Sequence, residues 1–240
     1  MSPCRHISLL CALLLPLAPQ AAELVILVDT ATEMPMARFD RFRLVDGIHK
    51  DVGEALAAAL GRTPRFVALP RKRIAGALDT GSADLLCGYV PEWLDGAFGW
   101  SQPFFPMLEE VISDSAGTRP RSLADLRGEL LGTVFGYQYP DIERALGKGF
   151  LRADGPSSEI NLRKLAAGRL HHVITMKTFI DYRMKLGDPV LSLHAPLPVK
   201  NHLTRCAVSR KGRVSVAEVD RAIAAMVRGG AVGQIAARYQ

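Results

Sequence analysis

Nine residues at or just beyond the ends of predicted strands, together with Trp100, could bind a small ligand. They combine charged groups, which can anchor a polar solute, with aromatic rings, which can stack on a planar or cationic one. The candidates are Thr30, Glu33, Arg73, Tyr89, Trp93, Trp100, Tyr137, Gln138, Tyr139 and Lys177. Each has a plainer alternative, because the charged members could be solvated or ion-paired at the surface and the aromatic members could pack in the core.

The sequence offers little for catalysis or metal binding. It contains no Cys-x-x-Cys pair and no Cys and His spacing suited to zinc. His171 and His172 are adjacent, so on a strand they face opposite sides and cannot chelate one ion together. No nucleophile stands beside a base, although Glu33 or Glu92 could act as an acid or base in an enzyme. We therefore expect no catalytic residues, no metal and no cofactor.

Composition excludes several classes of protein. The chain has 240 residues, of which 48% are hydrophobic and 22% charged, and its formal net charge is +6. These values exclude a disordered chain, and the length suits one large domain or two small ones. The basic residues at 38, 41, 43, 71 and 72 are scattered, without an aromatic or glycine-rich pattern beside them, so a nucleic-acid partner is not expected.

The first 22 residues have a composition of their own. Arg5 and His6 form a short basic start, residues 7–18 are almost wholly apolar, and Ala21 and Ala22 are small. This pattern predicts a signal peptide cleaved near Ala22 and export to the periplasm; a buried N-terminal strand or helix is the alternative. The apolar run is too short for a membrane-spanning helix.

Cleavage at that point would leave two cysteines in an oxidising compartment, Cys87 and Cys206. They lie far apart in the sequence, in two strand-like segments. We expect two buried thiols, with a single disulfide as the alternative.

Strand and helix patterns alternate along the rest of the chain, which predicts an α/β fold with a mainly parallel sheet. Predicted strands cover 24–28, 64–69, 84–90, 108–113, 130–135, 150–153, 173–176 and 203–209. Predicted helices cover 47–60, 71–78, 123–127, 139–146, 157–167, 178–186, 215–227 and 232–239. The segments 77–85 and 164–172 both pass from a helix end through a glycine into a strand. This repetition suggests two similar lobes with a cleft between them, although any helix-to-strand unit could end in the same way.

Five stretches resemble, in order and spacing, the bacterial extracellular solute-binding proteins of family 3, the periplasmic components of ABC importers for polar amino acids. They are Glu33-Met34-Pro35-Met36, Gly47-Ile48-x-x-Asp51, Pro70-x-x-Arg73 with Leu78-x-x-Gly81-x-x-Asp84, Trp100-Ser101-Gln102-Pro103-Phe104, and Gly132-x-x-x-Gly136-Tyr137-x-Tyr139-Pro140. A closing segment from Cys206 to Gly212, followed by two helices, also resembles that family, of which this chain would be a divergent member.

The resemblance implies a type II periplasmic-binding-protein fold, in which two α/β lobes are joined by two crossover strands. The first lobe would comprise residues 23–108 with the C-terminal helices at 210–240, and the second would comprise 109–209 with the return crossover. A small-molecule ligand would bind in the cleft of a monomer and pass to a membrane permease. Signalling to a membrane receptor, and a periplasmic dehydratase or lyase on the same scaffold, are the alternative functions.

Two positions depart from the amino-acid-binding members of that family. An arginine that clamps the ligand carboxylate is expected near Leu94, and an aspartate that pairs with the ligand ammonium is expected where Met176 and Lys177 stand. Whether the ligand is an α-amino acid is therefore left open.

Overall fold

A computed structural model describes residues 21–187 and 192–239. The predicted signal peptide lies outside these residues, apart from its last two positions. In the two described stretches, no helix is both long enough and apolar enough to cross a membrane.

Strands and helices alternate through most of the described chain. The strands are β1 (Glu23–Asp29), β2 (Arg38–Asp40), β3 (Arg43–Asp46), β4 (Thr63–Leu69), β5 (Leu85–Tyr89), β6 (Gly99–Trp100), β7 (Phe105–Ser113), β8 (Leu130–Val134), β9 (Leu151–Gly155), β10 (His172–Met176) and β11 (Leu197–Val208). The α-helices are α1 (Ile48–Ala59), α2 (Arg71–Thr80), α3 (Pro140–Leu146), α4 (Ser158–Ala166), α5 (Lys177–Lys185), α6 (Val216–Arg228) and α7 (Ala231–Arg238).

The main sheet runs in the order β4-β1-β5-β11-β7-β10-β8-β9, and β6 also pairs with β11. In the first lobe β1 is parallel to β4 and β5, and in the second lobe β8 is parallel to β9 and β10. The shared strand β11 is antiparallel to both of its neighbours: residues 197–204 pair with β7, and 205–208 pair with β5. One strand therefore belongs to both lobes.

Strand β1 shows why the first lobe needs a continuous apolar strand. Leu24 and Ile26 pack in one core cluster with α1 and α6, whereas Val25 and Leu27 pack on the opposite face against α2. Because both faces are covered by helices, the strand has no solvent side on which polar residues could alternate. The second lobe repeats the arrangement with separate clusters on its two faces.

The C-terminal helices return to the first lobe. Ser215 caps α6 and forms a reciprocal capping box with Glu218, which fixes the start of the helix. Ile223 and Met226 then pack in the same cluster as Leu56 of α1. The core of the first lobe is therefore built from both ends of the described chain.

The two similar helix-to-strand segments occupy equivalent places in the two lobes. Gly81 and Gly168 both have left-handed φ angles, of 77° and 65°, that only glycine adopts readily. In the first copy, the buried carboxylate of Asp84 accepts hydrogen bonds from the N–H groups of Val25 and Arg213. It thereby joins the first strand to the segment before α6.

Four details differ from the sequence-based predictions. Residues 38–46 form a β2–β3 hairpin. Its turn places Arg41 in the left-handed region, a conformation that an arginine in the sequence does not predict. The short helix predicted at 123–127 is a 3-10 helix over Leu123–Leu126, and β11 starts six residues earlier than the predicted strand. The fourth detail is a Cys87–Cys206 disulfide, so the expectation of two free thiols is wrong. Cys87 and Cys206 are direct partners on the neighbouring strands β5 and β11, a tertiary pairing that their distance in sequence concealed.

Candidate ligand-binding cleft

A cavity of about 100 Å³ lies between the two lobes. The first lobe contributes the loop after β1, the start of α2 and the end of β5. The second lobe contributes the loop after β8, the end of β10 and the start of α4. The lining residues are Ala31, Thr32, Glu33, Met36, His49, Arg71, Gly88, Tyr89, Trp93, Met107, Glu109, Tyr137, Gln138, Tyr139, Ser158, Thr175, Met176, Thr178 and Phe179. Several of these positions lie at or just after the carboxyl ends of strands, where open α/β folds bind ligands.

Arg71, the first residue of α2, contacts residues of both lobes through its guanidinium. Its guanidinium lies between the rings of Tyr89 and Tyr137, at 4.6 and 4.7 Å from their centroids. It donates hydrogen bonds to the Tyr89 hydroxyl and to the Trp93 carbonyl oxygen, the latter at 2.7 Å. Only 11% of its side chain is exposed. Because Tyr137 belongs to the second lobe, this stack joins the lobes across the cleft.

Asp29 at the end of β1 balances the charge of Arg71. Its Oδ2 lies 3.5 Å from a terminal guanidinium nitrogen and accepts a hydrogen bond from the Tyr89 hydroxyl at 3.4 Å. Burial raises the pKa of Asp29, and the Ala31 N–H and the Arg71 charge partly offset that effect. Arg71 and Asp29 thus form a buried ion pair whose charges cancel.

Glu33 of the first lobe makes a second contact across the cleft. Its carboxylate accepts the N–H of Glu159, in the first turn of α4, at 3.0 and 3.2 Å. A carboxylate is stabilised at this end of a helix by free N–H groups and by the helix dipole. Burial nevertheless raises the pKa of Glu33, against the opposing effect of hydrogen bonds from Ser157 and Glu159.

Further contacts at the rim also hold the lobes together. Gln138 of the second lobe donates to the Asp95 carboxylate of the first at 2.9 Å. Lys72 lies 4.9 Å from the ring centroid of Phe135. With the Arg71 and Glu33 contacts, these show the lobes closed on each other.

Glu109 of β7 is a carboxylate within the cavity wall, and only 1% of the residue is exposed. The imidazole of His202 lies beside it, with Nε2 at 3.8 Å from Oε2, beyond hydrogen-bonding distance. That Nε2 is itself buried and without a hydrogen-bond partner. Burying a carboxylate without a hydrogen-bond donor or a cation costs free energy, so this group favours the binding of either.

Three more buried side-chain atoms at the cavity have no hydrogen-bond partner within residues 21–187 and 192–239: Trp93 Nε1, Thr175 Oγ1 and Thr178 Oγ1. Aromatic rings surround them. Trp93 packs edge-on to His202 at 4.6 Å and to Tyr89 at 6.3 Å. The cavity is therefore walled by rings and equipped with hydroxyls that could bind a ligand.

His49 closes one side of the cavity beside Gly88. A Cβ at Gly88 would lie 2.8 Å from the imidazole, and Gly88 also has a left-handed φ of 82°, so a side chain at this position would displace the ring. Burial lowers the pKa of His49 to about 4. The imidazole is therefore neutral at pH 7 and adds no positive charge to the cavity.

Six of the ten sequence-predicted residues line the cavity: Glu33, Tyr89, Trp93, Tyr137, Gln138 and Tyr139. The other four do not. Thr30 is exposed beyond the end of β1, and Trp100 pairs with Ala207 and packs against the core of the first lobe. Lys177 is ion-paired at 2.6 Å with Asp181 on the outer surface of α5.

Arg73, the fourth, was predicted where Arg71 is found. Successive helical residues are rotated by about 100°, so Arg73 points about 200° away from Arg71, toward a different groove on the first lobe. The sequence Pro70-Arg-Lys-Arg offers three adjacent cations, and their order alone does not show which one faces the cleft. The prediction also missed Glu109 and His49, which lie inside a strand and a helix and not in the loops after strands.

Leu94 and Met176, which replace the expected charged anchors, have different surroundings. Leu94 is buried in the core of the first lobe and does not line the cavity. Met176 does line it, as an apolar side chain at the end of β10.

Comparison with known proteins finds similarity at the level of structure. No protein family profile matches the chain, and no curated protein matches it in sequence. An ancestral arginine-binding protein bound to arginine aligns with a TM-score of 0.72 and 18% identity, over 91% of this chain and 98% of that one. The chain has the two-lobed fold of the periplasmic binding proteins.

Two further structures share this binding-protein fold. An amino acid ABC transporter substrate-binding protein from Streptococcus pneumoniae, bound to L-arginine, aligns with a TM-score of 0.71 and 15% identity, over 91% of this chain and 94% of that one. An ancestral amino acid-binding protein, described as a precursor of cyclohexadienyl dehydratase, aligns with a TM-score of 0.72 and 16% identity, over 91% and 95%. At these identities the likeness concerns the fold.

Proposed function

We propose that this protein captures a small polar solute, an amino acid or a related compound, between its lobes and delivers it to the membrane permease of an ABC importer. The observation that carries the proposal is the buried cavity, lined from both lobes by charged, hydroxyl and aromatic side chains. Structural neighbours that bind arginine, one of them from an ABC transporter, support the same function. They also favour delivery to a permease over signalling to a receptor.

In this proposal the first lobe comprises residues 23–108 with the C-terminal helices at 210–240, and the second comprises 109–209. Opening would separate Glu33 from α4 and Tyr137 from Arg71. The strands β7 and β11, which connect the lobes, would bend to allow it. The ligand-binding residues would be the six predicted residues that line the cavity, together with Arg71 and Glu109.

The same proposal places the protein in the periplasm as a monomer. The N-terminal composition supports export, and the buried Cys87–Cys206 disulfide is typical of an oxidising compartment. We propose binding without a catalytic step. One neighbour is an ancestor of a dehydratase, but that ancestor is itself an amino acid-binding protein.

The test is a thermal-shift screen of the purified protein against amino acids, amines, organic acids and sugars. A bound solute raises the melting temperature by mass action, by the equivalent of about 2.7 kcal/mol at a hundredfold excess over Kd. Absence of any solute that does so would refute the proposal. Mass spectrometry of the incubated solute should return it intact; conversion to a product would instead support an enzyme.

A substitution tests whether the cavity is the binding site. Tyr137→Ala removes a ring from the Arg71 stack and should weaken binding of the solute found in the screen by at least tenfold. Phe42→Ala is the control, because Phe42 is 85% exposed on the β2–β3 hairpin. Equal affinity in both variants would exclude Tyr137 from the site.

A further inference from the structure

The charges around the cavity do not balance. Glu33 and Glu109 line it and Asp29 lies directly behind it, whereas Arg71 is the sole Lys or Arg among the lining residues described. With His49 neutral, three carboxylates against one guanidinium leave a surplus of negative charge. Low-dielectric walls strengthen such a field, so the site favours a positively charged solute.

Arg71 has little left to offer a ligand carboxylate. Its guanidinium carbon lies within 4.7 Å of two tyrosine ring centroids, and its terminal nitrogens contact Tyr89, Trp93 and Asp29. A ligand carboxylate at its edge would stand beside Asp29 and add a like charge to a buried pair. That arrangement costs free energy unless an existing contact is given up.

The second group suited to an anion, the N-terminus of α4, already has a hydrogen-bond partner. The N-terminus of α4 opens onto the cavity at Ser158, but its N–H groups already bind the Glu33 carboxylate. The described lining thus presents no uncommitted charged partner for a carboxylate. Among the buried side-chain N–H groups of this described lining, Trp93 Nε1 is without an acceptor, and a ligand hydroxyl could accept from it.

A cation, by contrast, finds partners on several sides. Glu109 offers a buried carboxylate that receives no hydrogen bond from the described residues, and the Thr175 and Thr178 hydroxyls can accept from an ammonium or guanidinium. The rings of Tyr139 and Phe179 complete the wall. Carboxylate and aromatic faces together form the environment in which proteins hold organic cations.

The cavity is also small. Its volume of about 100 Å³ is less than the roughly 150 Å³ of an engineered cavity that binds benzene. In the closed arrangement it therefore suits a solute of few heavy atoms.

We propose that the cleft selects a small organic cation without a carboxylate, an amine, a guanidine or a methylated ammonium compound, with Glu109 as its charge partner. This narrows the solute class of the proposed function and rests on it. A solute-binding protein that accepts another class would leave the proposed function intact.

The test uses three pairs of small compounds that differ by a carboxylate: ethylamine and alanine, methylguanidine and guanidinoacetate, tetramethylammonium and glycine betaine. Isothermal titration of the purified protein should show at least one carboxylate-free compound binding tenfold or more tightly than its partner. Tighter binding of the carboxylated member in every pair that binds would overturn the inference while supporting the proposed function. Binding of none of the six would also overturn it, and the wider solute screen would then decide the proposed function separately.

Glu109→Gln tests the charge partner, since it removes the charge and keeps the shape of the side chain. It should weaken the bound cation by tenfold or more, whereas the control Glu54→Gln, on the exposed face of α1, should not change its affinity. Melting of both variants without ligand shows that they are folded. Unchanged affinity in a folded Glu109→Gln protein would exclude Glu109 as the charge partner and overturn the inference.

Discussion

Reduction of the Cys87–Cys206 disulfide should strongly destabilise the first lobe. The bond closes a loop with a sequence separation of 119 residues. In the chain-entropy description of cross-links, a loop of this length lowers the entropy of the unfolded chain enough to stabilise the folded state by about 5 kcal/mol. Cys87 and Cys206 are buried and already paired across β5 and β11, so reduction removes little packing. We expect a loss of about 3–5 kcal/mol.

The measurement is urea unfolding with and without reductant, on the chain from Glu23 onward, where these are the only two cysteines. Fluorescence of Trp93 and Trp100 reports on the first lobe, because both rings pack against its core. The slope of the transition should also rise on reduction, since an unfolded chain without the cross-link exposes more surface. Small-angle scattering of the unfolded protein should show the corresponding expansion.

The control is the double variant Cys87→Ala with Cys206→Ala, whose stability should not respond to reductant. A loss below about 1 kcal/mol on reduction of the unaltered protein would refute the reasoning. It would mean that the unfolded chain is held compact by other contacts, or that strain in the folded state offsets the entropy of the loop.

Two further predictions concern carboxylates. Burial raises the pKa of Glu110 to about 6, against a nearby Lys177 charge, so the folded protein holds this proton more tightly than the unfolded chain. Stability therefore falls as pH rises from about 4.5 past 6, and Glu110→Gln should be more stable than the unaltered protein by about 1–2 kcal/mol at pH 7.5. The gain should vanish at pH 4, and an equal gain at both pH values in urea unfolding would contradict the assigned cause. Separately, Glu33→Ala removes a carboxylate from the start of α4 and should weaken closure by about 1 kcal/mol. Small-angle scattering should then show a larger radius of gyration than for Glu54→Ala; identical curves would show that Glu33 does not hold the lobes together.

Sequence patterns predicted most of the helices and strands because the lobes are built from local, repetitive units. A strand covered on both faces must be continuously apolar, and a helix that returns to a strand commonly ends at a glycine such as Gly81 or Gly168. The hairpin at 38–46 was missed because Arg41 takes the left-handed conformation of its turn. Glycine and asparagine, which usually indicate such a turn, are absent from this stretch of the sequence. The extra length of β11 was missed because four of residues 197–203 are exposed, and the buried position there is the polar His202 while the apolar Leu203 is exposed.

The site was harder to predict because it depends on which side of an element faces the cleft. Strand-end positions led to Tyr89, Trp93 and Tyr137, whose loops meet at the cavity once the sheet forms. The rotation of α2, which separates Arg71 from Arg73, is set by the packing of Ile74 and Leu78 beneath it. Glu109 could not be separated from an ordinary strand residue, since its burial depends on β11 and β10 lying on either side of it.

The position of β11 has a consequence for how the chain is made. The sheet of the first lobe lacks a strand until residues 205–208 arrive, and its core lacks the side chains of α6 until residues 219–226 follow. At a synthesis rate of 5–20 residues per second, the 119 residues from Gly88 to Cys206 take about 6–24 s to appear. For that interval the nascent first lobe remains incomplete. The first lobe can therefore complete its fold only after almost all of the chain has been synthesised.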